Sequence, residues 1–301
     1  MPGPSRGLNR IALPAIPNAG PTYSSAPGTL LWFEGMHKLP PPPSIDRDAT
    51  ALFLDFDGTL ADLAPQPDAV QIAGDLVPML RKMSHHLGGA LAIVSGRPLH
   101  DLDDFLSPLQ LPAAAEHGAQ RRQVDGRVLG ITPPDLETTL RAARALVGHH
   151  PGLRLEIKTA TVALHYRHAP ELEALCLQVL SEAVGDTPGV ELLRGKFVFE
   201  VKPAGVSKGT AIAAFMHEAP FAGRVAVFAG DDVTDEAGFS VVQSIGGFGV
   251  KVGEGATLAN HRCASPTALR LWLGAACVGR DSMTGTTSDV VPNRGLHPHR
   301  R

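Results

Sequence analysis

Three short, unbroken apolar runs punctuate the chain: ALFLDF at 51–56, ALAIVS at 90–95 and VAVFAG at 225–230. Each ends at polar residues. Fully buried parallel strands read this way, with functional groups gathered where the strand gives way to a loop. Helical candidates lie near 74–87, 207–218 and 234–243. The alternation predicts an α/β fold, a doubly wound parallel-sheet core whose site lies beyond the carboxyl ends of its strands.

The middle of the chain changes period. Segments 134–148 and 170–184 read as amphipathic helices, with Leu136, Leu140, Ala143 and Leu146 at helical spacing in the first. LRLEIK (153–158), TVALHYR (161–167) and KFVFEVK (196–202) alternate with period two. Leu153, Leu155 and Ile157 oppose Arg154, Glu156 and Lys158; Phe197, Phe199 and Val201 oppose Lys196, Val198, Glu200 and Lys202. This predicts an antiparallel sheet with helices on one face and a charged face left open. The expected organisation is a core at 49–119 and 204–277, with an αβ domain inserted at roughly 120–203.

Composition adds the ends. Residues 1–48 are rich in Pro, Gly and Ser and close on four prolines, so they are expected to be largely disordered, although Leu30, Leu31, Trp32 and Phe33 could dock. The polar tail 278–301 is expected to be flexible. Overall, 301 residues with 44% hydrophobic and 19% charged suit a soluble globular protein. A net charge of −3 argues against a dedicated nucleic-acid binder. Cys176, Cys263 and Cys277 lack metal or redox spacing and suit a reducing compartment. No run approaches the roughly 18–20 apolar residues of a membrane span. Pro14, Pro17 and Pro21 interrupt any secretory signal. A cytoplasmic protein is the expectation.

The chemistry begins at DFDGTL, 55–60, directly after the first apolar strand. Asp55 and Asp57, two residues apart, can face one site if the chain turns. Gly58 permits that turn, and the backbone amides after it can hold phosphate oxygens. A solvated strand-end turn would use the same residue types. GDDVTDE at 230–236 follows another strand; Asp231, Asp232, Asp235 and Glu236 would repel one another without a cation, and with Asp55 they offer the hard oxygens Mg²⁺ prefers. A charged first helical turn is the plainer account. Ser95 in VSGR offers a hydroxyl to a phosphate. Lys208 follows a candidate N-cap, Ser207, where a cation opposes the helix dipole and so suggests an anionic partner.

Taken in order, DFDGTL, Ser95, Lys208 and GDDVTDE resemble the four motifs of the haloacid dehalogenase superfamily of phosphatases, over about residues 50–275. The insertion resembles the αβ cap of its sugar-phosphatase branch. EHGA at 116–119, LHYR at 164–167 and GKFVFEVKP at 195–203 are similar to the trehalose-6-phosphate phosphatase family.

The resemblance implies that Asp55 attacks phosphorus to form an aspartyl-phosphate, while Asp57 protonates the leaving sugar oxygen and then deprotonates the hydrolytic water. It also implies a Mg²⁺ cofactor between Asp55, the backbone carbonyl of Asp57 and Asp231, with Asp232 and Asp235 as outer ligands. Ser95 and Lys208 would hold phosphoryl oxygens. Gly58, Thr59, Arg97, His117 and Gly118 join the substrate-binding candidates. On the cap these are Glu156, Lys158, Arg167, Lys196 and Glu200, a mixture of donors and acceptors suited to a polyhydroxylated sugar, although a merely solvated sheet face would look alike. The implied reaction hydrolyses trehalose 6-phosphate, the final step of trehalose biosynthesis. A small sugar phosphate is then the partner, with a trehalose-phosphate synthase as a separate protein. Another sugar phosphatase or a phosphohexose mutase shares the Asp pair and stays open. An inert regulatory domain would predict erosion of Asp55, Asp57 or Lys208, and all three are present.

Overall fold

Buried apolar runs became the centre of a large sheet. In a computed structural model describing residues 39–64 and 69–277, the strands are β1 (Thr50–Leu54), β2 (Leu91–Val94), β3 (Ala113–Ala115), β4 (Gln120–Arg122), β5 (Val128–Gly130), β10 (Val225–Gly230), β11 (Phe248–Val252) and β12 (His261–Cys263). Their order is β12-β11-β10-β1-β2-β3-β4-β5. Pairing is parallel from β12 to β3, while β4 and β5 are antiparallel. Every residue of β1 and β2 is buried, which accounts for their lack of alternation.

The chain moves outward from β1 through α1 (Leu76–His86) to β2 and α2 (Leu99–Leu106), and in the opposite sense from β10 through α6 (Glu236–Ser244) to β11. Right-handed crossovers in opposite directions put helices on both faces and a switch point between β1 and β10. Helix α5 (Lys208–Phe215) runs in before β10, and α7 (Pro266–Ala276) closes the core. The stacked rings of Phe53 and Phe221, 5.4 Å apart, pack with Phe215 in its centre. Each is fully buried and contributes about 1.5–3 kcal/mol relative to exposure.

The inserted segment builds a second sheet, β6 (Arg154–Ile157), β7 (Val162–His165), β8 (Val190–Gly195) and β9 (Val198–Pro203), in the order β6-β7-β9-β8, all antiparallel. Helices α3 (Glu137–His149) and α4 (Glu173–Gly185) cover it through a separate apolar cluster that includes Ala143, Leu164, Cys176, Leu180, Phe199 and Val201. All three cysteines are unpaired, and burial raises their thiols, Cys263 to about 11.

Three expectations need correction. The segment from 120 does not go straight into the cap: β4 and β5 first extend the large sheet, because β4 pairs with β3 and β5 with β4 despite a polar sequence. The charged cap face is only partly open, since Glu200 and Lys202 are buried while Arg154 and Lys196 are exposed. Residues 39–48 are not loose: Ile45 is buried, Arg262 N–H donates to the Pro40 carbonyl at 3.0 Å and Trp272 Nε1 to that of Pro43 at 2.9 Å. The expectations for 1–38, with Trp32 and Phe33, and for the tail 278–301 lie outside the described residues. Among those described, no helix is long and apolar enough to cross a membrane.

Candidate active site

The carboxyl ends of β1 and β10 bring the two acidic motifs together. Asp55 follows β1 and is buried; its Oδ1 accepts a 2.7 Å hydrogen bond from Lys208 Nζ. The same ammonium donates to Asp235 Oδ1, also at 2.7 Å. One oxygen each of Asp55, Asp231 and Asp235 can lie within 4.8 Å of one another. Asp232 and the Asp57 carboxylate stand outside that group. Asp232 Oδ1 instead accepts the Val233 N–H, and Asp235 Oδ2 accepts the N–H groups of Asp231 and Asp232. Lys251 Nζ donates to the Asp231 carbonyl, fixing the loop.

Crowding shows in the electrostatics. Burial raises the Asp55 carboxyl well above its ordinary value, with Asp235 and Asp231 adding and Lys208 opposing. Burial and Asp235 lift Asp231 to about 7. Burial works against the charge on Lys208, yet Asp235 and Asp55 hold it well above an ordinary lysine. Three clustered carboxylate oxygens, with Asp55 and Asp231 held above their ordinary values, suit a hard divalent cation.

Local structure explains the placement. Gly58 has φ +72°, and a Cβ there would fall 2.1 Å from Asp231 Oδ2, so only glycine lets the two loops meet. Thr59 is fully buried and donates towards Asp55 at 3.3 Å; it supports the carboxylates from behind. Ser207 and Thr210 form a reciprocal capping box that starts α5 and sets Lys208 on its first turn. Ser95, after β2, is buried and accepts the Arg97 N–H at 3.2 Å. Arg97 holds Asp57 by two 2.7 Å bonds.

A cavity of about 290 Å³ joins these groups to the cap. Asp55, Asp57, Ser95, Arg97, Lys208, Asp231 and Asp232 line it from the core, and Glu156, Lys158, Arg167, Lys196 and Glu200 from the cap. His117 also lines it, with Nε2 2.8 Å from Glu200 Oε2. Lys158 Nζ donates to Glu200 Oε1 and to the Gly96 carbonyl, both at 2.9 Å. Burial alone would raise Glu200, but Lys158 and His117 hold it well below an ordinary carboxyl. Glu156 is likewise lowered against its burial, by His165 and Lys158. Gly118 is elsewhere: at φ +114°, it packs against Ala211 of α5. Thr59 and Asp235 also stay out of the cavity wall.

Sequence reasoning passed over several groups. His165, 2.8 Å from Glu156 Oε2, lines the cavity, and its alternation with Arg167 in TVALHYR was the available signal. Lys251 sits in a short apolar strand that hides its contact. Glu116, within EHGA, was quoted for resemblance and given no part.

A family model described as Trehalose-phosphatase matches residues 53–267. Trehalose-6-phosphate phosphatase of Escherichia coli is 42% identical over 74% of this chain and 85% of its own. The bifunctional trehalose-6-phosphate synthase/phosphatase of Thermoproteus tenax is 36% identical over 73% of this chain and 30% of its own. The crystal structure of a trehalose-6-phosphate phosphatase related protein is 28% identical, with TM-score 0.61, over 75% of this chain and 96% of that one. The C-terminal domain of Candida albicans trehalose-6-phosphate phosphatase, 22% identical and covering 77% and 92%, shares the fold with TM-score 0.70.

Proposed function

The chain belongs to the trehalose-phosphatase family, and from that premise we propose that it hydrolyses trehalose 6-phosphate to trehalose and phosphate through a phosphorylated Asp55. The observation that carries the reading is the single cavity joining the Asp55 carboxylate to Glu156, Lys158 and Glu200. One end carries a nucleophile beside a buried ammonium. The other carries charged donors and acceptors spaced for hydroxyl groups, as a sugar monophosphate requires.

In this reading an Asp55 oxygen forms a bond to phosphorus as the bond to the sugar oxygen breaks, and Asp57 gives that oxygen its proton. Asp57 then takes a proton from water, whose oxygen displaces Asp55 from phosphorus and frees phosphate. Lys208 screens the approach of the carboxylate to the phosphate dianion, and Ser95 and Arg97 are placed to hold phosphoryl oxygens. Asp55, Asp231 and Asp235 fit Mg²⁺, with the Asp57 carbonyl as a further ligand; the ion would supply positive charge against the phosphate and the crowded carboxylates. Glu156, Lys158 and Glu200 bind sugar hydroxyls, with Arg167 and Lys196 towards the cavity mouth.

The cytoplasm is the proposed location, and a synthase, separate from this chain, would supply the substrate. The test is phosphate release from a panel of sugar phosphates with and without Mg²⁺. Trehalose 6-phosphate should be preferred by kcat/KM. A hexose 6-phosphate or a hexose 1,6-bisphosphate preferred instead would point to the other sugar phosphatases or the mutases and overturn the assignment.

A further inference from the structure

Between the two ends of the cavity stands a fully buried carboxylate that lines neither. Glu116 Oε1 accepts the Thr159 N–H at 3.0 Å; Oε2 accepts the Ala160 N–H at 2.8 Å and lies 3.4 Å from Thr161 Oγ1. Thr159 and Ala160 form the tip of the β6–β7 connection, which Lys158 N–H closes on the Thr161 carbonyl at 2.9 Å. Tip amides have no ladder partner; Thr159 is exposed, but Ala160 is buried and its N–H needs an acceptor from elsewhere. On the core side, Glu116 N–H donates to the Arg97 carbonyl and His117 N–H to that of Ser95, both at 2.9 Å. Glu116 and His117 are both left-handed, at φ +47° and +58°. Two such residues in succession cost free energy, and the arrangement persists only because its surroundings hold it.

We propose that Glu116 is a positioning residue that clasps the cap's β6–β7 turn to the Ser95–Arg97 loop. It thereby fixes the height at which Lys158 and Glu200 meet the sugar. The inference rests on the sugar-phosphate reading above. A carboxylate suits the task because both oxygens accept and both turn amides donate. Glutamine, of the same shape, keeps one acceptor and turns its NH₂ towards the other N–H. Thr161 links the same turn to the cavity, since its hydroxyl donates its one proton to Glu200 Oε1 at 2.9 Å.

The experiment compares Glu116→Gln with wild type on trehalose 6-phosphate and on 4-nitrophenyl phosphate, and follows amide hydrogen exchange at Thr159 and Ala160. The expected result is a KM for the sugar phosphate raised by about tenfold or more, since two charge-assisted bonds are disturbed. kcat should stay within about threefold and kcat/KM on the aryl phosphate within about twofold. Exchange at the two amides should quicken by about tenfold or more. An unmoved KM, or equal losses on both substrates, would overturn the positioning role. Should the variant fail to fold, wild-type exchange decides: protection at Thr159 and Ala160 supports the clasp, and rates of an unstructured peptide overturn it. If wild type prefers another sugar phosphate, the functional proposal falls, while the same comparison on that substrate still decides the clasp.

Discussion

Arg97 grips Asp57 with both arms of its guanidinium, Nε to Oδ2 and Nη2 to Oδ1, each at 2.7 Å. A bidentate pair of this kind fixes the direction of a carboxylate as well as its distance. In the proposed reaction Asp57 must turn from Arg97 to the leaving oxygen. A phosphate entering between Ser95 and Lys208 would bring oxygens that compete for the same guanidinium. The proposed role of the pair is therefore to couple substrate arrival to the release of Asp57.

Arg97→Lys tests that link. Lysine keeps the charge and loses the planar fork, so one strong contact replaces two. The expected outcome is a fall in kcat of about ten- to a hundred-fold with folding preserved. Stopped-flow phosphate release and a thermal melt measure both. A kcat equal to wild type would show that the Arg97–Asp57 pair has no consequence for turnover.

Asp55→Asn removes the nucleophile while keeping its shape. Lys208 retains Asp235 as a partner at 2.7 Å, so the chain should still melt cooperatively. Phosphate release should drop by about a thousandfold or more. Mass spectrometry of the wild type quenched during turnover should show a phosphate adduct that the variant lacks. Near-normal turnover by the variant would remove Asp55 from the role.

Chelation probes the carboxylate cluster. The crowding that raises Asp55 and Asp231 would be relieved by a bound cation, so removing divalent ions should stop turnover, and Mg²⁺ should restore it and raise Tm. Full activity after exhaustive dialysis against chelator would contradict the proposed metal site.

Glu200 gives the cap interface a pH dependence of known sign. Its carboxyl lies well below the ordinary 4.5 because Lys158 and His117 outweigh its burial. A depressed folded value means that the unfolded chain binds the proton more readily. The contribution is full above about pH 4.5 and is lost as pH falls through the folded value. Urea unfolding of wild type and Glu200→Gln should give a stability gap that is constant above about pH 6 and narrows below about pH 4. A gap of unchanged size through the acid range would show that the carboxylate's charge is immaterial there.

The proline-rich leader ends in a strap. Chains beginning at residue 39 and at residue 49 differ by buried Ile45 and by hydrogen bonds to the carbonyls of Pro40, Pro41, Pro43, Asp46 and Arg47. The shorter chain should be less stable by about 4 kcal/mol or more, from one buried aliphatic side chain and those hydrogen bonds. Equal denaturant midpoints would show that the strap adds nothing.

What could be read in advance follows from physical contrast along the sequence. β1, β2 and β10 were legible because strands buried on both faces are unbroken apolar runs, and the chemistry sat where those runs ended. Cap strands β6, β7 and β9 were legible from period two and the cap helices from period 3.6, whereas β8, VELLRG, does not alternate cleanly and was not. The β4–β5 hairpin was not, because QRRQVDGRVLG has a mixed polar pattern and its place depends on pairing with β3. Alternation showed which residues share a cap face, and so made Glu200 a sugar-binding candidate, but not that Glu200 and Lys202 are buried. Residues 40–43 read as disorder because the partners of their carbonyls, Arg262 and Trp272, lie more than 200 positions away. At the site, order along the chain located Asp55, Lys208 and Asp231. That Lys208 bridges Asp55 and Asp235, and that Thr59 and Gly118 lie off the cavity, required three dimensions.

Gly58 narrows what this lineage can become. Its backbone sits where side chains are unwelcome, and the space a methyl would fill belongs to Asp231. Two independent vetoes fall on one codon, so no single substitution there leads anywhere, and relief of one veto leaves the other. Gly148 and Gly185 have open space and ordinary torsions, and drift there is free. In a saturation library selected for turnover, position 58 should return glycine alone, while helices α3 and α4 absorb the variation.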